Sequence, residues 1–214
     1  MYNHHSKAIF IHIPKTAGLS IRNCLSNNGF YHKGHVSNFY TRDTTISTRH
    51  QPSKNLNKNC IDNYFKFCFV RNPWDIVVSS FLWWRGMYEW SKRTGRGHNR
   101  KKKIATEISE MTFHDFVKKY SHKLNEVDHQ NLGQHFWMED ETENKTVDFI
   151  GKFENLQEDF NIVCDKIGIP KQQLSHKNAT KRNHYTEYYN DETREIVAKK
   201  YAKDIEYFGY EFGG

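Results

Sequence analysis

The residues best suited to hold an anion come early in the chain. In "AIFIHIPKTAGLS", Ala8 to Ser20, an apolar run stops at Pro14 and is followed by Lys15, Thr16, Ala17, Gly18, Leu19 and Ser20. Lysine supplies a positive charge, the two hydroxyls supply donors, and glycine lets the backbone come close to an oxyanion. If the apolar run is a strand and a helix begins near Ser20, the loop between them offers the unpaired amides and positive dipole end of a helix N-terminus. That combination suits phosphate or sulfate; an ordinary strand-to-helix turn is the structural alternative. It is not the usual nucleotide-triphosphate loop, because Lys15 precedes Gly18 instead of following a second glycine. The nearby G-x-x-x-x-G, Gly29 to Gly34, leads into His35-Val36 where that loop needs lysine and a hydroxyl.

The positioning elements follow from pattern and punctuation. Ala8 to Ile13 reads as a short buried parallel strand, and Ser20 to Ser26 as the start of a helix. Residues 29 to 62 show no sustained period and are expected to be mostly loop. "YFKFCFVRNPWDIVVSSFLWW" is a second strand-helix unit: Tyr64 to Arg71 is the strand, Asn72 the N-cap, Pro73 the first helical residue, and Asp75 lies in the first turn. Arg93 to Lys103 reads as a solvated basic loop, whose alternative use is to bind an anionic glycan. Thr112 to Lys123 and Val127 to Met138 look helical, and Val147 to Phe153 looks like a strand. A helix capped by Asn155 should end at Gly168 and Pro170, and Asp191 to Phe208 reads as one amphipathic helix. Strands alternating with helices imply an α/β fold with parallel strands. The aromatic run Phe81 to Trp90 points all round a helix, so most of it should be core.

Composition sets limits. The 214 residues suit one domain, 1–214, that needs no disulfide or metal staple, with 36% hydrophobic and 27% charged residues. A net charge of +7 attracts anionic ligands. Cys24, Cys60, Cys68 and Cys164 form no CxxC pair, and a disulfide framework is not expected. Neither a signal peptide nor a membrane span is visible, which implies the cytoplasm, or the Golgi lumen if a precursor anchor was lost.

"HIPKTAGLS" together with "FKFCFVRNPWDIVVSSF" resembles the paired signature of the sulfotransferases that use 3′-phosphoadenosine 5′-phosphosulfate (PAPS), particularly the carbohydrate type. "RHQPSKNL", "GKFENLQEDFNIVCDKIGI", "KRNHY" and "EYFGYEF" are also similar to bacterial and carbohydrate-type members, so the resemblance spans almost the whole chain. It implies a P-loop-like three-layer α/β fold, with a central parallel sheet flanked by helices. Residues 15 to 20 resemble the family's 5′-phosphosulfate loop, while Arg71 and Ser79, eight residues apart, match its 3′-phosphate element. A planar arginine serves a phosphate dianion better than lysine does; the alternative for Arg71 is an ion pair with a carboxylate such as Asp75. Lys181 and Arg182 resemble the family's late nucleotide-contacting residues, with a solvated charged loop as the alternative.

The implied reaction is transfer of a sulfuryl group from PAPS to an acceptor hydroxyl, on a carbohydrate, without metal. Lys15 would stabilise the charge growing on the donor oxygens. The acceptor proton needs a base, and among thirteen histidines His50, twenty-one residues before Arg71, stands where the carbohydrate branch places it, with His35 second. Two other readings compete: a P-loop-type small-molecule kinase, and a non-catalytic module that binds polyanionic glycan or RNA. The kinase lacks its lysine-hydroxyl pair, and a general polyanion surface has no need of the Arg71/Ser79 spacing, so a nucleic-acid partner is not expected.

Overall fold

The computed structural model describes residues 1–31, 52–56, 62–120, 133–139, 142, 144–175 and 182–214. Among them run four strands, β1 Tyr2–Asn3, β2 Ala8–Ile11, β3 Phe65–Val70 and β4 Phe149–Lys152. The α-helices are α1 Gly18–Asn27, α2 Pro73–Thr94, α3 Asn99–Ser109, α4 Phe113–Tyr120, α5 Leu156–Ile167, α6 Asp191–Lys200 and α7 Ala202–Phe208. The chain divides into two compact units, Met1–Arg71 with Gln134–Ala179, and Asn72–Gly133 with Thr180–Gly214.

The first unit carries the sheet, in the order β1-β2-β3-β4. β2 pairs with β3 and β3 with β4 in parallel, placing Phe10 beside Phe67 and Phe67 beside Phe149, while β1 is antiparallel to β2. The α/β class with a mostly parallel sheet is therefore the one expected. β2 and β3 read as unbroken apolar runs because buried parallel strands need apolar residues on both faces. Ala8, Phe10, Phe67 and Phe69 share one face and pack with Ile21, Cys24 and Leu25 of α1 and Phe160, Val163 and Cys164 of α5. β2, β3 and β4 are each shorter than the stretches expected, Ala8 to Ile13, Tyr64 to Arg71 and Val147 to Phe153. Asn155 sits at the N-cap of α5 but its side chain makes no capping bond; Asp159 accepts from the Lys152 amide at 2.6 Å and ties the end of β4 to the helix. Cys24, Cys68 and Cys164 are free and buried, and burial pushes the Cys164 thiol up to about 11. They are packing residues.

The second unit is helical. Its core joins Phe81 and Trp84 of α2 to Ala105, Ile108, Phe113, Phe116, Val197 and Tyr201. In the aromatic run Phe81 and Trp84 are buried and Trp90 is 39% exposed, so most of the run serves the core, as its all-round distribution requires. Asn72 caps α2 by accepting from the Trp74 amide at 3.2 Å, with Pro73 first in the helix. Its Nδ2 donates to Tyr185 Oη at 3.1 Å and to the Glu211 carbonyl at 2.9 Å. Asn72→Ala should therefore cost about 2 kcal/mol, a cap plus buried hydrogen bonds, read as a lower denaturant midpoint at unchanged m.

Several expectations need correction. Arg93 to Lys103 is not a loop: α2 runs to Thr94 and α3 begins at Asn99, with Gly95 at φ 67° ending α2. Charge hid the helix, because its buried positions, Ala105 and Ile108, come after the basic run. The described end of Val127 to Met138 is one 3₁₀ turn, Gln134–Trp137, and not an α-helix. Asp191 to Phe208 breaks at buried Tyr201 into α6 and α7. Most of 29 to 62 lies outside the described residues. No helix among the described residues is long and apolar enough to cross a membrane.

Candidate functional site

In the first unit, β2 stops at Ile11 and α1 starts at Gly18. Between them Lys15 at φ 69° and Ala17 at φ 62° adopt the left-handed conformation without being glycine. That costs on the order of 1–2 kcal/mol per residue and persists only where the surroundings over-determine it. The braces are visible. Thr16 is fully buried and its Oγ1 donates to the Ile13 carbonyl at 3.0 Å. Arg71 Nη1 donates to the Lys15 carbonyl at 3.1 Å. Lys15 is half-buried, Ser20 buried and Leu19 exposed.

α1 also begins without a side-chain cap. Ala17 holds the N-cap position, no cap bond is made, and the first turn contains no acidic residue. Helices normally recruit Ser, Thr, Asp or Asn there. Ser20 and Ile21 amides turn back to the Ala17 carbonyl at 3.0 and 3.3 Å. The helix therefore starts at the positive end of its dipole without a side-chain acceptor, a place that suits an anion. Because the Thr16 hydroxyl proton is committed to Ile13, an anion would meet residue 16 through its backbone.

Gly18 has a steric reason to be glycine that the sequence does not reveal. Its φ is not positive. A Cβ built there would lie 1.7 Å from His12 Nε2 and 2.0 Å from His12 Cδ2. The space is filled by imidazole, and that ring stacks on Phe10, with centroids 5.6 Å apart and planes at 19°. His12 is a residue that sequence reasoning passes over: histidine type alone is uninformative among thirteen, and only its place two residues before Pro14 hints at the loop.

Arg71 is pinned where β3 runs out. It is 7% exposed, its guanidinium carbon lies 3.8 Å from the centroid of the Phe153 ring, and its backbone is clasped by Gln134. The Arg71 amide donates to Gln134 Oε1 at 2.8 Å, and Gln134 Nε2 donates to the Arg71 carbonyl at 2.8 Å. Gln134 is 63 residues away in sequence, and nothing in local pattern could reveal it. Lys15 and Arg71, 56 residues apart, are joined through the Lys15 carbonyl, so the structure brings the Arg71 guanidinium to the backbone of the loop.

In the second unit, Ser79 is half-buried on α2 beside fully buried Ser80. Arg182 forms an ion pair with Asp75, both side chains largely shielded, so that carboxylate has a cation within its own unit. His35, His50 and Lys181 lie outside the described residues.

Comparison with known proteins adds the following. Residues 1–211 match the model of a family described as the sulfotransferase family. A protein of Archaeoglobus fulgidus, itself described as uncharacterized, is 35% identical over 119 residues, which cover 55% of this chain and 78% of that one. No solved structure matches.

Proposed function

Because the chain belongs to the sulfotransferase family, we propose that it is the PAPS-dependent kind and sulfates a hydroxyl, on a carbohydrate. The observation that carries this reading is the uncapped start of α1, held in a strained backbone with Lys15 tied to Arg71. Such a loop suits a doubly substituted anion better than it suits a simple turn. Bound PAPS would supply an activated sulfuryl group and the 3′-phosphate that sets it apart from ADP.

The chain's residues have distinct tasks in this reading. The backbone of residues 16 to 20 and the Ser20 hydroxyl hold the 5′-phosphate, and Lys15 places positive charge where negative charge grows on the leaving oxygens. Arg71 and Ser79, by their spacing, hold the 3′-phosphate, with Arg182 and Lys181 as further nucleotide contacts. His50 takes the acceptor proton, with His35 the second candidate. Catalysis is then mostly positioning and charge stabilisation within a single 1–214 catalytic domain. A carbohydrate acceptor is consistent with the net charge of +7, which draws anionic glycans toward the surface.

Calorimetry with 3′,5′-adenosine bisphosphate and ADP tests this. Wild type should prefer the bisphosphate by about 100-fold, the scale of a lost charge-assisted hydrogen-bond pair, and Arg71→Ala should erase the preference while ADP binding changes little. Equal binding of the two nucleotides by wild type would sink the PAPS reading.

A further inference from the structure

We propose that His12 is a positioning residue of the donor loop, acting as a spacer between the Phe10 ring and the first residue of α1. This rests on the PAPS reading above and extends it to a residue that the sequence analysis does not single out. The argument begins with Gly18. Glycine usually marks a left-handed turn or a close backbone approach to a ligand. Here φ is not positive, and the close approach is by an imidazole of the same chain.

The ring stacks on Phe10 of β2, and its Nε2 end fills the place a Gly18 side chain would take. Since Phe10 belongs to a strand with 1% exposure and the core face of the sheet, it is a fixed wall. His12 transmits that wall to Gly18 and so sets the distance between β2 and the leading amides of α1. The strained residues Lys15 and Ala17 lie between these two anchors. A spacer of fixed thickness keeps the strained backbone from relaxing, and packed groups pass on displacement because interiors are dense. Without it, the amides shift and the anion loses aligned donors; displacements near 1 Å can cost about 100-fold in productive alignment.

The pair is therefore matched: a ring at 12 requires no side chain at 18. This gives a double-mutant cycle whose sign is set in advance. Gly18→Ala should lower Tm by about 5 °C through overpacking and weaken 3′,5′-adenosine bisphosphate binding at least tenfold. His12→Ala should weaken binding about tenfold with a smaller change in kcat. In the double variant His12→Ala/Gly18→Ala the clash is gone, so Tm should recover at least half of the Gly18→Ala loss and the dissociation constant should improve on Gly18→Ala alone. Ile167→Ala, which opens the core of the same unit, is the control: it should lower Tm without changing the dissociation constant.

Two results overturn the proposal: bisphosphate affinity unchanged in folded His12→Ala, or a double variant no better than Gly18→Ala in Tm. If wild type binds no bisphosphate, the donor reading fails and the donor role of His12 falls with it, while the Tm cycle still reports whether the spacer exists.

Discussion

Lys15→Ala should lower kcat by about 10²- to 10³-fold, the usual loss when a preorganised charge aimed at the transition state is removed, and should weaken bisphosphate binding much less. The difference between the two effects is the point. Charge on the leaving oxygens grows as the sulfuryl group departs, so a cation there acts more strongly on the transition state than on the bound nucleotide. The backbone offers a way to separate charge from conformation. Lys15 sits at φ 69°, which glycine adopts without strain. Lys15→Gly should thus be at least as inactive as Lys15→Ala, yet more stable to denaturant than that variant. Steady-state kinetics and denaturant melts on both proteins decide it, and a kcat within threefold of wild type in either would remove Lys15 from catalysis.

Gln134→Ala should destabilise the chain by about 3 kcal/mol, although it replaces a side chain with no expected chemistry. Gln134 is 2% exposed and satisfies both the amide and the carbonyl of Arg71 at 2.8 Å. Truncation leaves two buried backbone groups without those partners, at about 1–3 kcal/mol each. For a chain of this length that is a Tm drop of roughly 6–12 °C. Arg71 also loses the clasp that sets its direction, so the preference for bisphosphate over ADP should shrink as well. A Tm shift under 2 °C would mean that water or a neighbouring group replaces the glutamine.

How much of this was legible in sequence depends on the range of the interaction. β2, β3, β4, the start of α2 and the end of α5 could be placed to within a few residues because apolar runs, Pro14, the Asn72-Pro73 start and the glycine stop at Gly168 are local signals. Local signals failed where charge masked a helix, at Asn99–Ser109, and where one broke at a buried residue, Tyr201. Asn155 shows the same limit at one residue: its type marks the N-cap position correctly, but its side chain makes no capping bond, and Asp159 ties the helix to the Lys152 amide of β4 instead.

For the candidate site, sequence by itself determined the ingredients: a strand-loop-helix unit with Lys15, Thr16, Gly18 and Ser20, an arginine at a strand end, and membership of a family that handles sulfuryl groups. These are properties of residue type and spacing along the chain. Only tertiary structure decided that Lys15 and Arg71 meet through a carbonyl, that the Thr16 hydroxyl braces the loop, and that Gln134 clasps Arg71. It also decided that the place a side chain at Gly18 would take is filled by His12. Each of these is a contact between atoms held by different elements, most of them far apart in sequence. A one-dimensional pattern records what a residue can donate or accept, whereas packing selects which partner it receives.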